Sequence, residues 1–146
     1  MKKILGISFL AVILFSSCKK DDPTPTCTLS STSILGTYKT TAATTQASAQ
    51  APIVDDYATW NACEKDDLIT LSAGGIFTTS EGATSCTPPT DPMSANWSLS
   101  GSSLSITYMG ISLPAVTISD FTCNSFKVTS VDATTGEISV STLTRQ

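Results

Sequence analysis

The residues of this 146-residue chain with types suited to chemistry are its carboxylates, hydroxyls and thiols; histidine is absent. Without an imidazole, Ser-His-Asp and Cys-His nucleophile arrangements and most zinc ligand sets are excluded. The abundant serines therefore have no evident base. Carboxylates occur as the pairs Asp55-Asp56 and Asp66-Asp67. Neighbours on a strand point to opposite faces, so neither pair is a ready general acid/base couple. The first reads as a helix cap and the second as a solvated strand entry. Glu64, Asp66 and Asp67 have the ligand type for a hard cation such as Ca²⁺, but their spacing fits no loop motif. These residues point away from an enzyme and imply no catalytic residue, no cofactor and no metal.

The cysteines carry covalent chemistry instead. Five are present, Cys18, Cys27, Cys63, Cys86 and Cys123, an odd number that an exported protein must account for. Lys2 and Lys3 open the chain, an apolar run follows over residues 4–15, and Ser16-Ser17 precede Cys18. This is the form of a secretory signal, and the run is short of the roughly 20 apolar residues a membrane span needs. Its end resembles the lipobox of bacterial lipoproteins, with Phe15 where leucine is commonest. That resemblance implies an acylated Cys18 as the mature N-terminus after removal of residues 1–17. Four cysteines then remain for disulfides, and a metal site is the rival use, although no CxxC spacing accompanies them. Losing Lys2 and Lys3 takes the formal net charge from −4 to −6. An acidic chain is a poor partner for nucleic acid, and its attachment to a membrane would have to be through the lipid. The run Lys19-Lys20-Asp21-Asp22 reads as a solvated spacer, or, by its similarity to the export signal of Bacteroidetes surface lipoproteins, as an address to the cell surface. Pro23-Thr24-Pro25-Thr26 continues as an extended tether, so residues 18–33 form the lipidated N-terminus and its spacer.

The elements that must position these groups are strands. Leu68-Ile69-Thr70-Leu71 and Ile76-Phe77-Thr78-Thr79 flank Ser72-Ala73-Gly74-Gly75, which reads as a β-hairpin. Closing it brings its outer ends together, so Cys63 and Cys86 are natural partners among the three possible pairings, leaving Cys27 with Cys123. The first strand is expected at 34–40, with residues 41–52 as a long loop of Ala, Thr, Ser and Gln without periodicity. A short helix is expected within 54–63, capped by Asp55, with Tyr57 and Trp60 on one face. Period-two alternation marks further strands at 96–99, 104–108, 114–119, 126–130 and 138–143, whose inward residues include Trp97, Leu104, Ile106, Tyr108, Phe126 and Val128. Residues 87–92 are a Pro-rich loop. The fold class expected for residues 34–146 is all-β: an eight-stranded antiparallel meander closed into a barrel, with one short helix before the second strand. A sandwich is the competing architecture.

The same residues carry a family resemblance. Leu35-Gly36-Thr37-Tyr38-Lys39, Cys63-Glu64-Lys65-Asp66-Asp67-Leu68, Gly75-Ile76-Phe77, Cys86 and Asn96-Trp97-Ser98-Leu99 with Leu104 resemble, in order and spacing, the lipocalin-like domain of Bacteroidetes lipoproteins over about 34–144. Tyr38 stands where that family usually has tryptophan, and Leu35 adjoins Gly36 with no residue between. The resemblance implies an eight-stranded barrel and a Cys63–Cys86 cystine, and it implies no particular ligand.

An eight-stranded barrel is either filled by side chains or holds one small ligand. The candidate interior is Tyr38, Trp97, Leu104, Ile106, Tyr108, Phe126 and Val128. Beyond the tether the cations are Lys39, Lys65, Lys127 and Arg145, and no pair of them is evident for gripping a fatty-acid carboxylate. The leading expectation is an outer-membrane, surface-exposed lipoprotein that binds a small apolar ligand, with a periplasm-facing orientation as the alternative. A filled barrel acting as a structural or protein-interaction module, and an inhibitor acting through one loop, are the competing functions.

Overall fold

The computed structural model describes residues 27–89 and 92–146. The signal segment, Cys18, the acidic run after it and the tether up to residue 26 lie outside the described residues.

Among the described residues, ten strands form one antiparallel sheet: β1 (Gly36–Gln46), β2 (Val54–Asp55), β3 (Leu68–Ser72), β4 (Ile76–Ser80), β5 (Ser94–Ser100), β6 (Ser103–Tyr108), β7 (Ile111–Ser112), β8 (Val116–Ser119), β9 (Ser125–Val131) and β10 (Ile138–Arg145). Eight of them, all but the two-residue β2 and β7, run as a meander in which each strand pairs with the next. Pairing of β10 with β1 closes the circuit into a barrel. Closure removes the unpaired edge that an open sheet would expose.

The β3–β4 hairpin forms as its sequence predicts, with Leu71 opposite Phe77. Gly75 has φ +76°, and a Cβ there would lie 2.9 Å from the Trp97 carbonyl oxygen. Glycine is needed on both counts, because β5 comes close enough for the Trp97 N–H to bond the Gly75 carbonyl at 2.7 Å. Cross-strand pairs then knit the inner face: Tyr38 with Ile69, Trp97 with Ile106, Ile118 with Val128, and Phe126 with Leu143. These pairs join Ile34, Leu71, Phe77 and Leu104 in one core.

The structure corrects the expected loop over residues 41–52. Its first half is strand, since β1 continues to Gln46 and pairs with β10 from Tyr38 opposite Arg145 to Gln46 opposite Ile138. A register shift between Thr40 and Ala42 marks a bulge, which bends the strand and resets its alternation. The Ala/Thr run carries no apolar period. It is a strand because a neighbouring backbone supplies its hydrogen bonds. The expected helix over 54–63 is also divided, into β2, a 3-10 turn (Tyr57–Thr59) and α1 (Ala62–Lys65). Asp55 belongs to β2, and its carboxylate accepts the Ala58 N–H at 3.1 Å. Tyr57 and Trp60 do share a face, with ring centroids 5.4 Å apart.

The register defines two ends. The base holds the start of β1, the β3–β4 and β5–β6 turns, the β8–β9 bend and the end of β10. The mouth holds β2, the 3-10 turn, α1, the segment after β4, the β6–β7 hairpin and the β9–β10 turn. Each end has a disulfide: Cys27–Cys123 at the base and Cys63–Cys86 at the mouth, each with Cα atoms 5.2 Å apart.

Candidate functional site

Inside the barrel, the inward residues of β3, β6 and β9 line a cavity of about 170 Å³. Ile69 and Leu71 supply one wall, Leu104 and Ile106 another, and Phe126 and Val128 a third. Phe77, Val116 and Leu143 complete the lining, so no polar side chain faces the space. Period-two alternation accounts for the arrangement, because residues two apart on a strand share a face.

Four of the seven interior candidates from the sequence, Leu104, Ile106, Phe126 and Val128, line this cavity. Tyr38 and Trp97 are buried in the barrel wall and floor without lining it. Tyr38 is 1% exposed and meets Phe126 edge-on at 4.9 Å. Trp97 donates its indole N–H to the Ser72 carbonyl at 3.1 Å. Tyr108 is a correction. It is 39% exposed and sits opposite Ile111 in the β6–β7 hairpin. The β5–β6 ladder ends at Asn96 opposite Thr107, so Tyr108 lies beyond the barrel wall. Alternation sets which face a side chain occupies, and pairing sets whether anything stands on that face.

Above the cavity lies a mouth pocket of about 400 Å³, walled by Thr40, Trp60, Glu64, Asp67, Ile69 and Thr79 together with Leu68. Ile69 borders both spaces, so pocket and cavity follow one another down the barrel. The polar wall comes from the segment that the Cys63–Cys86 disulfide ties down. Glu64 Oε2 accepts the Asn61 backbone N–H at 2.6 Å and its side-chain amide at 2.9 Å. Asp66 Oδ2 accepts the Thr84 N–H at 2.9 Å. Among the described residues, Asp66 Oδ1 and Asp67 Oδ1 are buried with no hydrogen-bond partner. The Asp67 carboxyl is held above its ordinary range, first by burial, then by the negative charges of Asp66, Glu81 and Glu64, with the Gly82 N–H acting in the opposite direction.

Sequence reasoning missed Ile69, Leu71, Phe77, Val116 and Leu143 as lining residues, although all lie in recognisable strands. The signal was their alternation with polar neighbours, left unused because it says nothing about which strands face one another. It also left Trp60, Glu64 and Asp67 unconnected with the interior. No group of three or more His, Cys, Asp or Glu side chains among the described residues comes together as a metal site. The arrangement is that of a container: a polar, acidic mouth above an apolar chamber.

A family model described as a lipocalin-like domain matches residues 34–144. No curated protein and no solved structure matches the chain.

Proposed function

The chain belongs to the lipocalin-like domain family, and from that premise we propose that it is a membrane-anchored binding protein holding one small apolar ligand in its barrel. The observation that carries this reading is the apolar chamber of about 170 Å³ beneath the mouth pocket. A dry apolar space of about 150 Å³ accepts benzene, whereas pockets for drug-sized ligands run from about 300 to 1,000 Å³. The buried part of the ligand is therefore compact hydrocarbon. Arg145 is fully engaged with backbone carbonyls and Tyr38, which leaves no buried cation among the described residues to hold a fatty-acid carboxylate.

The anchoring half of the proposal rests on Cys18. The other four cysteines are paired, and Cys18 follows a lipobox-like end to a signal segment. Cys27 is fastened to Cys123 at the base, so the chain from Cys18 joins the barrel at the end opposite the mouth. The Lys19-Lys20-Asp21-Asp22 run supports display on the cell surface from the outer membrane. Replacing Cys18 with serine should move the protein from the membrane fraction to the soluble one.

Native mass spectrometry of the oxidised protein tests the binding half. A small molecule released on denaturation supports the carrier reading and gives the ligand's mass. A second reading, a filled barrel working through its surface, is favoured by the exposed apolar side chains around the mouth, among them Ile53, Val54, Met109, Ile111 and Val131. A bare mass, together with no uptake of added hydrocarbon, would select that reading.

A further inference from the structure

Carboxylates gather at the mouth. Asp55 ends β2 and Asp56 follows it, Glu64 is in α1, Asp66 and Asp67 lead into β3, and Glu81 follows β4. Asp132 and Glu137 stand in the β9–β10 turn at the same end. The cations of the described chain are engaged or directed elsewhere. Arg145 is at the base, where Lys127 pairs with Asp120 at 2.7 Å. The Lys65 ammonium lies over the Tyr57 ring, 5.0 Å from its centroid, and Lys39 follows inward-facing Tyr38 on β1, which turns it to the outer face. None of these cations lines the mouth pocket.

Within the pocket wall, Glu64 and Asp67 stand with Trp60 above Ile69. Asp67 Oδ1 is buried and unpartnered among the described residues, a costly state for a carboxylate oxygen. What this wall lacks is a positive charge: its donors are the neutral Thr40 and Thr79 hydroxyls and the Trp60 indole N–H. A ligand carboxylate would add a further acceptor and a further negative charge. An ammonium would bring three donors, a compensating charge and a cation for the indole face of Trp60. An acidic mouth over low-dielectric walls also concentrates cations before contact. Burial is the first cause of the raised affinity of Asp67 for protons, and the negative charges of Asp66, Glu81 and Glu64, which would also favour an ammonium, come after it.

We propose that the ligand is a cationic amphiphile, with an ammonium head among Glu64, Asp67 and Trp60 and a short hydrocarbon tail in the chamber below. The tail length follows from the chamber volume of about 170 Å³, which corresponds to roughly the six carbons of benzene. This inference rests on the carrier reading and specifies its ligand class.

Three six-carbon probes separate the two. The oxidised protein, labelled at its methyl groups, is titrated with hexan-1-amine, hexan-1-ol and hexanoate while the Ile69, Leu104 and Val128 methyl resonances are followed. The expected order is amine, alcohol, hexanoate, with the amine about tenfold tighter than hexanoate. In Asp67→Asn and Glu64→Gln the amine-to-alcohol affinity ratio should fall toward one. Hexanoate binding as tightly as the amine, or an unchanged ratio in both variants, overturns the inference and leaves the carrier reading standing. No shift of the chamber methyls with any probe overturns the carrier reading itself, and this inference with it.

Discussion

The guanidinium of Arg145 lies over the ring of Tyr38, 5.0 Å from its centroid, and Nη2 donates to the phenolic oxygen at 2.8 Å. The phenol in turn donates to the Ile34 carbonyl at 2.8 Å. Arg145 also donates to the carbonyls of Ser33, Leu35 and Cys123. One side chain thus joins the first strand, the segment before it, the last strand and the β8–β9 bend. Gly36 makes the approach possible, since a Cβ there would collide with the Arg145 guanidinium. The base of the barrel is closed by this cluster.

Tyr38→Phe keeps the ring packing and removes one donor and one acceptor, so it should cost about 1–3 kcal/mol of stability. Arg145→Ala leaves three carbonyls and a buried phenol without their partner and should cost more than Tyr38→Phe. Urea denaturation midpoints of the two variants test the order. Equal stability of Arg145→Ala and the parent would show that the base is held by apolar packing alone.

The two disulfides should separate in their effects. Cys27–Cys123 spans 96 residues and Cys63–Cys86 spans 23. Loop entropy assigns about 4–5 kcal/mol to the longer link and about 3 to the shorter. The paired serine variant of the first should therefore unfold at lower denaturant. The paired variant of the second should lose less stability but more ligand binding, because it frees the segment bearing Glu64 and Asp67.

The chamber can be filled or enlarged from within. Leu104→Ala should destabilise by about 2–5 kcal/mol and admit a larger hydrocarbon. Val128→Phe places a ring in the chamber and, on the carrier reading, should abolish binding, with a structural cost of about 1–3 kcal/mol. Calorimetry with a hydrocarbon probe and thermal melts separate the two effects. Undiminished binding by a folded Val128→Phe protein would remove the chamber from consideration as the site.

Asp67 should give stability a particular pH dependence. Its carboxyl is raised from the ordinary value of 3.8, so the folded state binds the proton more tightly than the unfolded chain. Its contribution is least favourable when the carboxylate is charged in both states. As pH falls through the raised value it improves, and below 3.8 no further gain is available. Asp67→Asn should therefore be more stable than the parent at neutral pH, with the difference closing as pH drops below that range. Melting temperatures of both proteins across pH 3–8 read this directly, and a constant difference would assign the effect to something other than titration.

Much of this molecule is determined by local sequence. The hairpin around Gly74 and Gly75, the period-two strands and the Cys63–Cys86 pairing all follow from short-range geometry: a turn brings its own flanks together, and alternation sets one face against another. A lipid on Cys18 would rest on equally local features. Tertiary structure decided what depends on distant partners. Residues 41–46 are strand because β10 lies alongside them. Tyr108 is outside because the β5–β6 pairing stops at Asn96 and Thr107, and Tyr108 pairs instead with Ile111 in the β6–β7 hairpin. Arg145 meets Tyr38 across 107 residues of sequence. The chamber and the acidic pocket above it exist because closure points separate strands at one axis and folds the Cys63–Cys86 segment over the opening. No spacing in the chain encodes a volume, since a volume is what remains after every wall has been placed.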